Sequence, residues 1–267
     1  MSDFEKLGIV VKYEFLKHIR RRRLYIVLGI ALLVELLVLI LIRLLSGSFP
    51  SDVMVMAAAL TAGPSLAAIG AIFFAGDAIA GEFESKTGFL LFVNPIKRMV
   101  LWAGKYLAGF IAVAALIVFT YIIVVIALLV IYQEVPVEIL KSFGLCLLYA
   151  SAVLSVTFFF SAVSKGSMGA TVMSLLFLFV ICGILESVLG STGKPYWYIL
   201  SAGGDSITMV FGSIQELLSS LGMTGQFGNM MENFKPLDIG LAAWGMVIYL
   251  VVGFVASIWI SNRRQLA

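Results

Sequence analysis

The sequence predicts an all-α membrane protein. It has six transmembrane helices, an amphipathic helix before the first, a cytoplasmic amphipathic segment after the second, and an external helical insert before the last. Three observations predict it. Of 267 residues, 61% are hydrophobic and 12% charged, a balance foreign to an ordinary soluble domain. The apolar residues gather into six runs of about twenty, the length a helix needs to cross a hydrocarbon core of about 30 Å while satisfying its own backbone. Most charged residues fall between those runs.

Residues 1–23 read as an interfacial helix. Phe4, Leu7, Val11, Phe15 and Ile19 recur at helical spacing while Lys6, Lys17 and Arg20 lie off that stripe, so the helix should lie along the membrane surface. Arg20, Arg21, Arg22 and Arg23 then contact lipid phosphate and fix orientation, and the lone His18 reads as a lipid-facing base. The spans follow at 24–45, 53–80, 99–132, 137–163, 168–189 and 239–260, all within one transmembrane domain, 1–267. The third is too long for a perpendicular crossing, so it should tilt or begin below the surface.

The N-terminal bases, Lys97, Arg98, Lys105, Lys165, Arg263 and Arg264 all fall on one face. The other face keeps Arg43, Lys141, Lys194 and Lys235. The first face is therefore cytoplasmic and carries both termini. The run from Leu24 exceeds a signal-peptide core and no small-residue cleavage site follows, so it reads as a retained anchor. Cys146 and Cys182 lie inside spans and read as packed thiols rather than a disulfide or metal pair. The net charge of +3 reflects topology, not nucleic-acid binding.

Residues 81–98, GEFESKTGFLLFVNPIKR, are the most informative. Asp77 and Gly81 mark the exit from the second span, and Glu82, Glu84 and Lys86 are too polar for the bilayer centre. Phe89, Leu90, Phe92 and Val93 suit a short helix that Asn94-Pro95 stops, and Lys97, Arg98 and Lys105 hold the third span at the interface. On composition alone this is either an ordinary loop with a stabilised turn or a helix placed to receive a push from a soluble protein.

In this register Glu82, Glu84, Thr87, Leu90, Leu91, Pro95, Ile96, Arg98, Gly104 and Lys105 resemble the loop after the second span in membrane subunits of type-2 ATP-binding-cassette exporters. The chain departs where that family has Gly before Thr, with Lys86 there and Gly88 following. The layout of an interfacial helix, six spans and an external insert resembles the family across nearly the whole chain. The resemblance implies that 81–98 is a coupling helix seated in a separate ATPase subunit. Glu82, Glu84, Ser85, Lys86, Thr87, Gly88 and Pro95 would form that contact, with Arg98 and Lys105 bracing the helix against lipid and neighbouring helices. It further implies pairing with a second copy or a related permease, and placement in the plasma membrane of a prokaryote.

The chain shows no ATPase of its own. Gly190-Ser-Thr-Gly-Lys-Pro195 lacks the glycine spacing of a phosphate loop, and Pro195 stands where Ser or Thr would bind magnesium. No catalytic residue or metal site is expected, and ATP and magnesium belong to the partner. In the insert, 190–238, Ile207, Val210, Phe211, Ile214, Leu217, Leu218 and Leu221 predict a helix capped by Asp205 or Ser206 and ended by Gly222. Pro195, Tyr196, Trp197 and Tyr198 read as an interfacial aromatic belt. That helix lies on the surface or, as the resemblance implies, re-enters the membrane.

A charge at the bilayer centre costs about 2.5 to 3.5 kcal/mol on insertion scales, which singles out Glu35. It either faces a dimer cavity and meets a polar or cationic substrate group, or is a packing residue held by a proton or a hydrogen bond. Glu186 lies near the outer interface and reads as solvated. Gly63, Gly70, Gly104 and Gly109 suit close helix packing. The chain thus reads as a permease half exporting a hydrophobic or amphipathic substrate such as a lipid, drug or peptide. Two alternatives stay open: a gradient-driven transporter or channel using Glu35, and an ATP-driven complex doing mechanical work on an external protein.

Overall fold

The computed structural model describes residues 2–20, 22–61, 63–85, 96–212 and 237–263, and no strand occurs among them. Among the described residues, six helical segments are long and apolar enough to cross a membrane. Five fall within three residues of the expected limits. The first span is Arg23–Ser46, the third Arg98–Tyr132, the fourth Glu138–Val163, the fifth Ser167–Ser191 and the sixth Ile239–Arg263.

The N-terminal helix, Asp3–Arg20, starts with a reciprocal cap. The Ser2 N–H donates to Glu5 Oε2 (2.9 Å) and the Glu5 N–H to Ser2 Oγ (3.3 Å). Arg22, at φ 57°, turns the chain into the first span, which ends at Gly47, φ 70°. The helix rests along the start of the third span, but its most apolar stripe is only half-buried there. Val10 and His18 are buried while Phe4 is 84% exposed. His18 is therefore not a lipid-facing base. It lies edge-on to Phe74, ring centroids 5.1 Å apart, because the packed face runs through Val10, Glu14, Lys17 and His18, one position off the apolar stripe.

The second span is not the continuous helix expected over 53–80. It runs Val53–Leu60, resumes as Gly63–Ala75, turns through 76–79 and ends as Ala80–Glu84. Pro64 has no N–H for the Leu60 carbonyl, and Thr61 Oγ1 donates back to the Ala57 carbonyl at 2.6 Å. A neighbouring helix satisfies the second break. The buried Ser161 of the fourth span accepts from the Ile79 and Ala80 N–H groups (3.1 and 3.0 Å) and donates to the Gly76 carbonyl (2.9 Å).

The fourth span is the hub, packing most extensively on the sixth and closely on the second. The third is unbroken at 35 residues, about 52 Å at the helical rise, so it outreaches the hydrocarbon core. The fifth passes through a π-helical segment, Leu176–Cys182. Leu33, Leu37 and Leu44 of the first span and Phe179 and Ile184 of the fifth stay exposed, as lipid-facing or partner-facing surfaces do. Cys146 and Cys182 are free and buried.

The insert departs from expectation. Among its described residues the helix is Leu200–Met209, so Asp205 and Ser206 sit inside it rather than capping it, and the chain turns at Gly212, φ 151°. Ile214, Leu217, Leu218, Leu221 and Gly222 lie outside the described residues. Gly203 and Gly204 disguise this helix in the sequence, since glycine is a poor helix former. Packing favours a small residue at Gly203, where a Cβ would stand 2.7 Å from Met246 Cγ. Tyr196, expected in an aromatic belt, is buried, whereas Tyr198 is exposed.

Candidate coupling site

The site assembles where the second span leaves the bundle on the N-terminal side. The turn at 76–79 brings the chain close under the fifth span, where a Cβ on Gly76 would stand 2.5 Å from Thr171 Oγ1 and 2.8 Å from the Ile72 carbonyl. Only glycine fits there. The short helix that follows points Glu82 inward and leaves Glu84 exposed.

Glu82 is buried, and its Oε1 accepts from Lys105 Nζ at 2.7 Å. The same ammonium, with a side chain 1% exposed, donates to Glu14 Oε1 of the N-terminal helix at 2.6 Å. Lys17 approaches both carboxylates at 3.4 Å. Two acids and two bases from three helical elements thus form a neutral knot, the condition under which buried charge is tolerable. Gly104 makes the approach possible. A Cβ there would lie 2.6 Å from Val10 Cγ1, so the glycine admits the N-terminal helix and the adjacent lysine reaches across to it.

Further contacts frame the loop. At its entrance Arg23 pairs with Asp77 at 2.8 Å. Phe83 stacks on the fully buried Trp102, centroids 6.2 Å apart. Glu84 Oε2 accepts from the N–H and Oγ of Ser167 (2.8 and 2.6 Å) and so caps the fifth span. Ser85 Oγ donates to the Gly81 carbonyl at 2.5 Å. At the exit Lys97 pairs with Asp3 at 2.6 Å, and Arg98 Nη1 donates to the Asn262 carbonyl at 3.3 Å. The N-terminal helix is thereby fastened to the loop entrance through Glu14 and Lys17, and it meets the exit only through the exposed Asp3–Lys97 pair.

Burial beside Phe74 lowers the His18 imidazole to about 4, against the opposing pull of Asp77 and Glu14. The Asp3 carboxyl sits below its ordinary range because Lys97 hydrogen-bonds to it.

The expected site residues therefore divide. Glu82, Glu84 and Ser85 gather at the loop entrance, while Lys86, Thr87, Gly88 and Pro95 lie outside the described residues. Lys105 sits inside the knot instead of at a lipid surface, and Arg98 reaches the end of the sixth span. Of the arginine run, Arg23 is engaged by Asp77, Arg20 and Arg22 are exposed, and Arg21 lies outside the described residues. Glu35 is fully buried within the bundle of its own chain, its oxygens without a hydrogen bond among the described residues. Glu186 is not simply solvated. It is half-buried and neighbours Asp205, whose carboxyl is pushed well above its ordinary range by burial and then by Glu186.

Sequence reasoning missed Glu14, Lys17, Ser161 and Ser167. Ser161 interrupts the apolar run Phe158-Phe-Phe-Ser-Ala, a legible signal. Glu14 carried none, being one of several charges on an amphipathic helix. The chain's residues 10–183 match the family described as ABC-2 family transporter protein. No curated protein matches the chain.

Proposed function

Because the chain belongs to the ABC-2 transporter family, and so is a permease component of an ABC transporter, we propose that it is an exporter half whose loop 81–98 couples it to a separate nucleotide-binding ATPase. ATP and magnesium belong to that partner. The observation carrying the proposal is the Lys105 bridge between Glu82 and Glu14 (2.7 and 2.6 Å). A displacement of the loop entrance is thereby shared by the third span and the N-terminal helix, and Glu84 on Ser167 extends it to the fifth span. The acids that resemble the family's partner contacts thus act here as fasteners. Residues 86–95 supply the surface for the ATPase.

Two such halves, identical or related, form the pathway with both termini cytoplasmic in the plasma membrane of a prokaryote. The N-terminal helix lies along the inner surface. The exposed apolar faces of the first and fifth spans suit contact between halves and passage of a hydrophobic or amphipathic substrate such as a lipid, drug or peptide. ATP-driven closure of the ATPases presses on both loops and opens the pathway outward.

Co-purification of the full chain from its native membrane tests this. The proposal expects an ATPase subunit to be retained in mild detergent and lost with Thr87→Trp and Lys86→Glu. Retention by both variants would overturn the loop's role.

One observation favours a second reading. Glu35, buried without a hydrogen-bond partner among the described residues, suits a gradient-driven transporter with this carboxyl as its ion or proton site. Flux from the purified chain alone, abolished by Glu35→Gln, would establish that reading in place of the first.

A further inference from the structure

The N-terminal helix leaves its most apolar stripe only partly covered: Phe4 is exposed and Leu7, Val11 and Phe15 are half-buried. Its packed face runs through Val10, Glu14, Lys17 and His18, and the adjoining stripe, about 100° round the helix, borders an open groove of about 300 Å³. Phe4, Leu7, Gly8, Val11 and Phe15 line it from the helix and Ile111 from the third span, with Lys12 at its rim. Ile111 belongs to the outward face of that span, with Leu107, Val118 and Ile122, all exposed. Gly8 deepens the groove, since a Cβ there would meet nothing within 4 Å.

The helix's charges indicate what fills it. Its acids are taken internally: Asp3 by Lys97, Glu5 by the Ser2 cap and Glu14 by Lys105. Its base Lys12, the one charged residue lining the groove, has no carboxylate partner among the described residues, nor does Arg20 at the helix end. The unmatched charge beside the groove is therefore positive. A second copy docking by the same face would oppose like charge to like, whereas an anionic lipid supplies both the apolar chain and the missing charge.

We propose that this groove holds one acyl chain of an anionic phospholipid, with the phosphate on Lys12. The inference rests on the placement of the N-terminal helix along the membrane surface proposed above. Because that helix is fastened to the entrance of the 81–98 loop through Glu14 and Lys105, the bound lipid sets how firmly that end of the loop is held.

The test is lipid retention by the purified full chain, without any ATPase, in detergent titrated with phosphatidylglycerol or phosphatidylcholine and read by native mass spectrometry. The parent should retain one phosphatidylglycerol in preference to phosphatidylcholine. Gly8→Leu, which fills the groove without touching the packed face, should lower that retention about tenfold, a loss on the scale of a few buried methylenes. Lys12→Gln should lower it about fivefold, the scale of one basic residue near an anionic surface. Gly8→Ala, which leaves the groove open, should bind like the parent and shows that the position tolerates a side chain. Unchanged retention by Gly8→Leu would overturn the site. Equal retention of the two lipids would overturn the anionic assignment. A change in the chain's oligomeric state with Gly8→Leu would assign the groove to a second copy instead. Because no ATPase is present, failure here is separate from failure of the coupling reading, which co-purification decides.

Discussion

Replacing Lys105 by methionine tests the charge knot most severely. The substitution keeps an apolar stem of similar length and removes only the ammonium. Glu82, with a side chain 9% exposed, then keeps Lys17 at 3.4 Å, and Glu14, 18% exposed, keeps the same distant lysine. Removing one partner of a buried ion pair costs about 3–5 kcal/mol, and here the two carboxylates lose their shortest and most buried cation. Equilibrium unfolding of the full chain in detergent, followed by helical circular dichroism, should show a loss of that size for Lys105→Met. Neutralising all three positions, with Glu14→Gln and Glu82→Gln added, should recover most of it, because the carboxylates that relied on the ammonium then carry no charge. The control is Lys97→Met. Its contact with Asp3 is equally short at 2.6 Å, but the side chains are 73% and 50% exposed, so solvent screens the pair and no measurable change is expected. If Lys105→Met unfolds with Lys97→Met, or if the triple variant is no more stable than the single, the knot is not what fastens these helices.

The remaining predictions address single contacts. His18 is held at about 4 against an ordinary 6.5, so between those values the unfolded chain binds more protons, and stability falls as pH drops through the window, by up to about 3 kcal/mol. His18→Phe should flatten that dependence in pH-resolved unfolding; an unchanged slope would show that other groups set it. Gly104→Val places atoms where Val10 Cγ1 already lies and should cost about 1–3 kcal/mol as overpacking does, releasing the N-terminal helix to faster limited proteolysis. Cleavage at the parent rate would mean that the two helices part without consequence. Glu84→Gln weakens the cap on the fifth span, so the Ser167 amide should exchange faster with solvent; equal protection would assign the cap elsewhere.

The spans were legible because hydropathy and length alone decide whether a helix can cross a bilayer, and five of them ended close to where apolar residues gave way to charge. The second span was harder. Its breaks do not alter mean hydropathy, although Pro64 and Gly76 were both in view, and the groups that satisfy them come from Ser161, 85 residues beyond Gly76. The loop entrance was recognisable by its acids, but their chemistry was not. Glu82 reads as solvent-facing until Lys105, 23 residues on, and Glu14, 91 residues before that lysine, are brought beside it. His18 was misread for a physical reason. Periodicity shows which stripe is most apolar, whereas the face that packs is chosen by steric fit, here by Gly104 against Val10, and the insert helix started earlier than expected because Gly203 and Gly204 hide its first turns.

The central claim is that a separate ATPase acts on the loop between the second and third spans. Its most direct test is site-directed crosslinking in native membranes, with Thr87→Cys in a chain whose buried Cys146 and Cys182 have been replaced by serine and alanine. A thiol-reactive crosslinker should join position 87 to the ATPase subunit, and a cysteine introduced at Ser191, at the far end of the fifth span, should give no adduct. An ATPase that co-purifies yet crosslinks equally at both positions, or at neither, would contradict the coupling account.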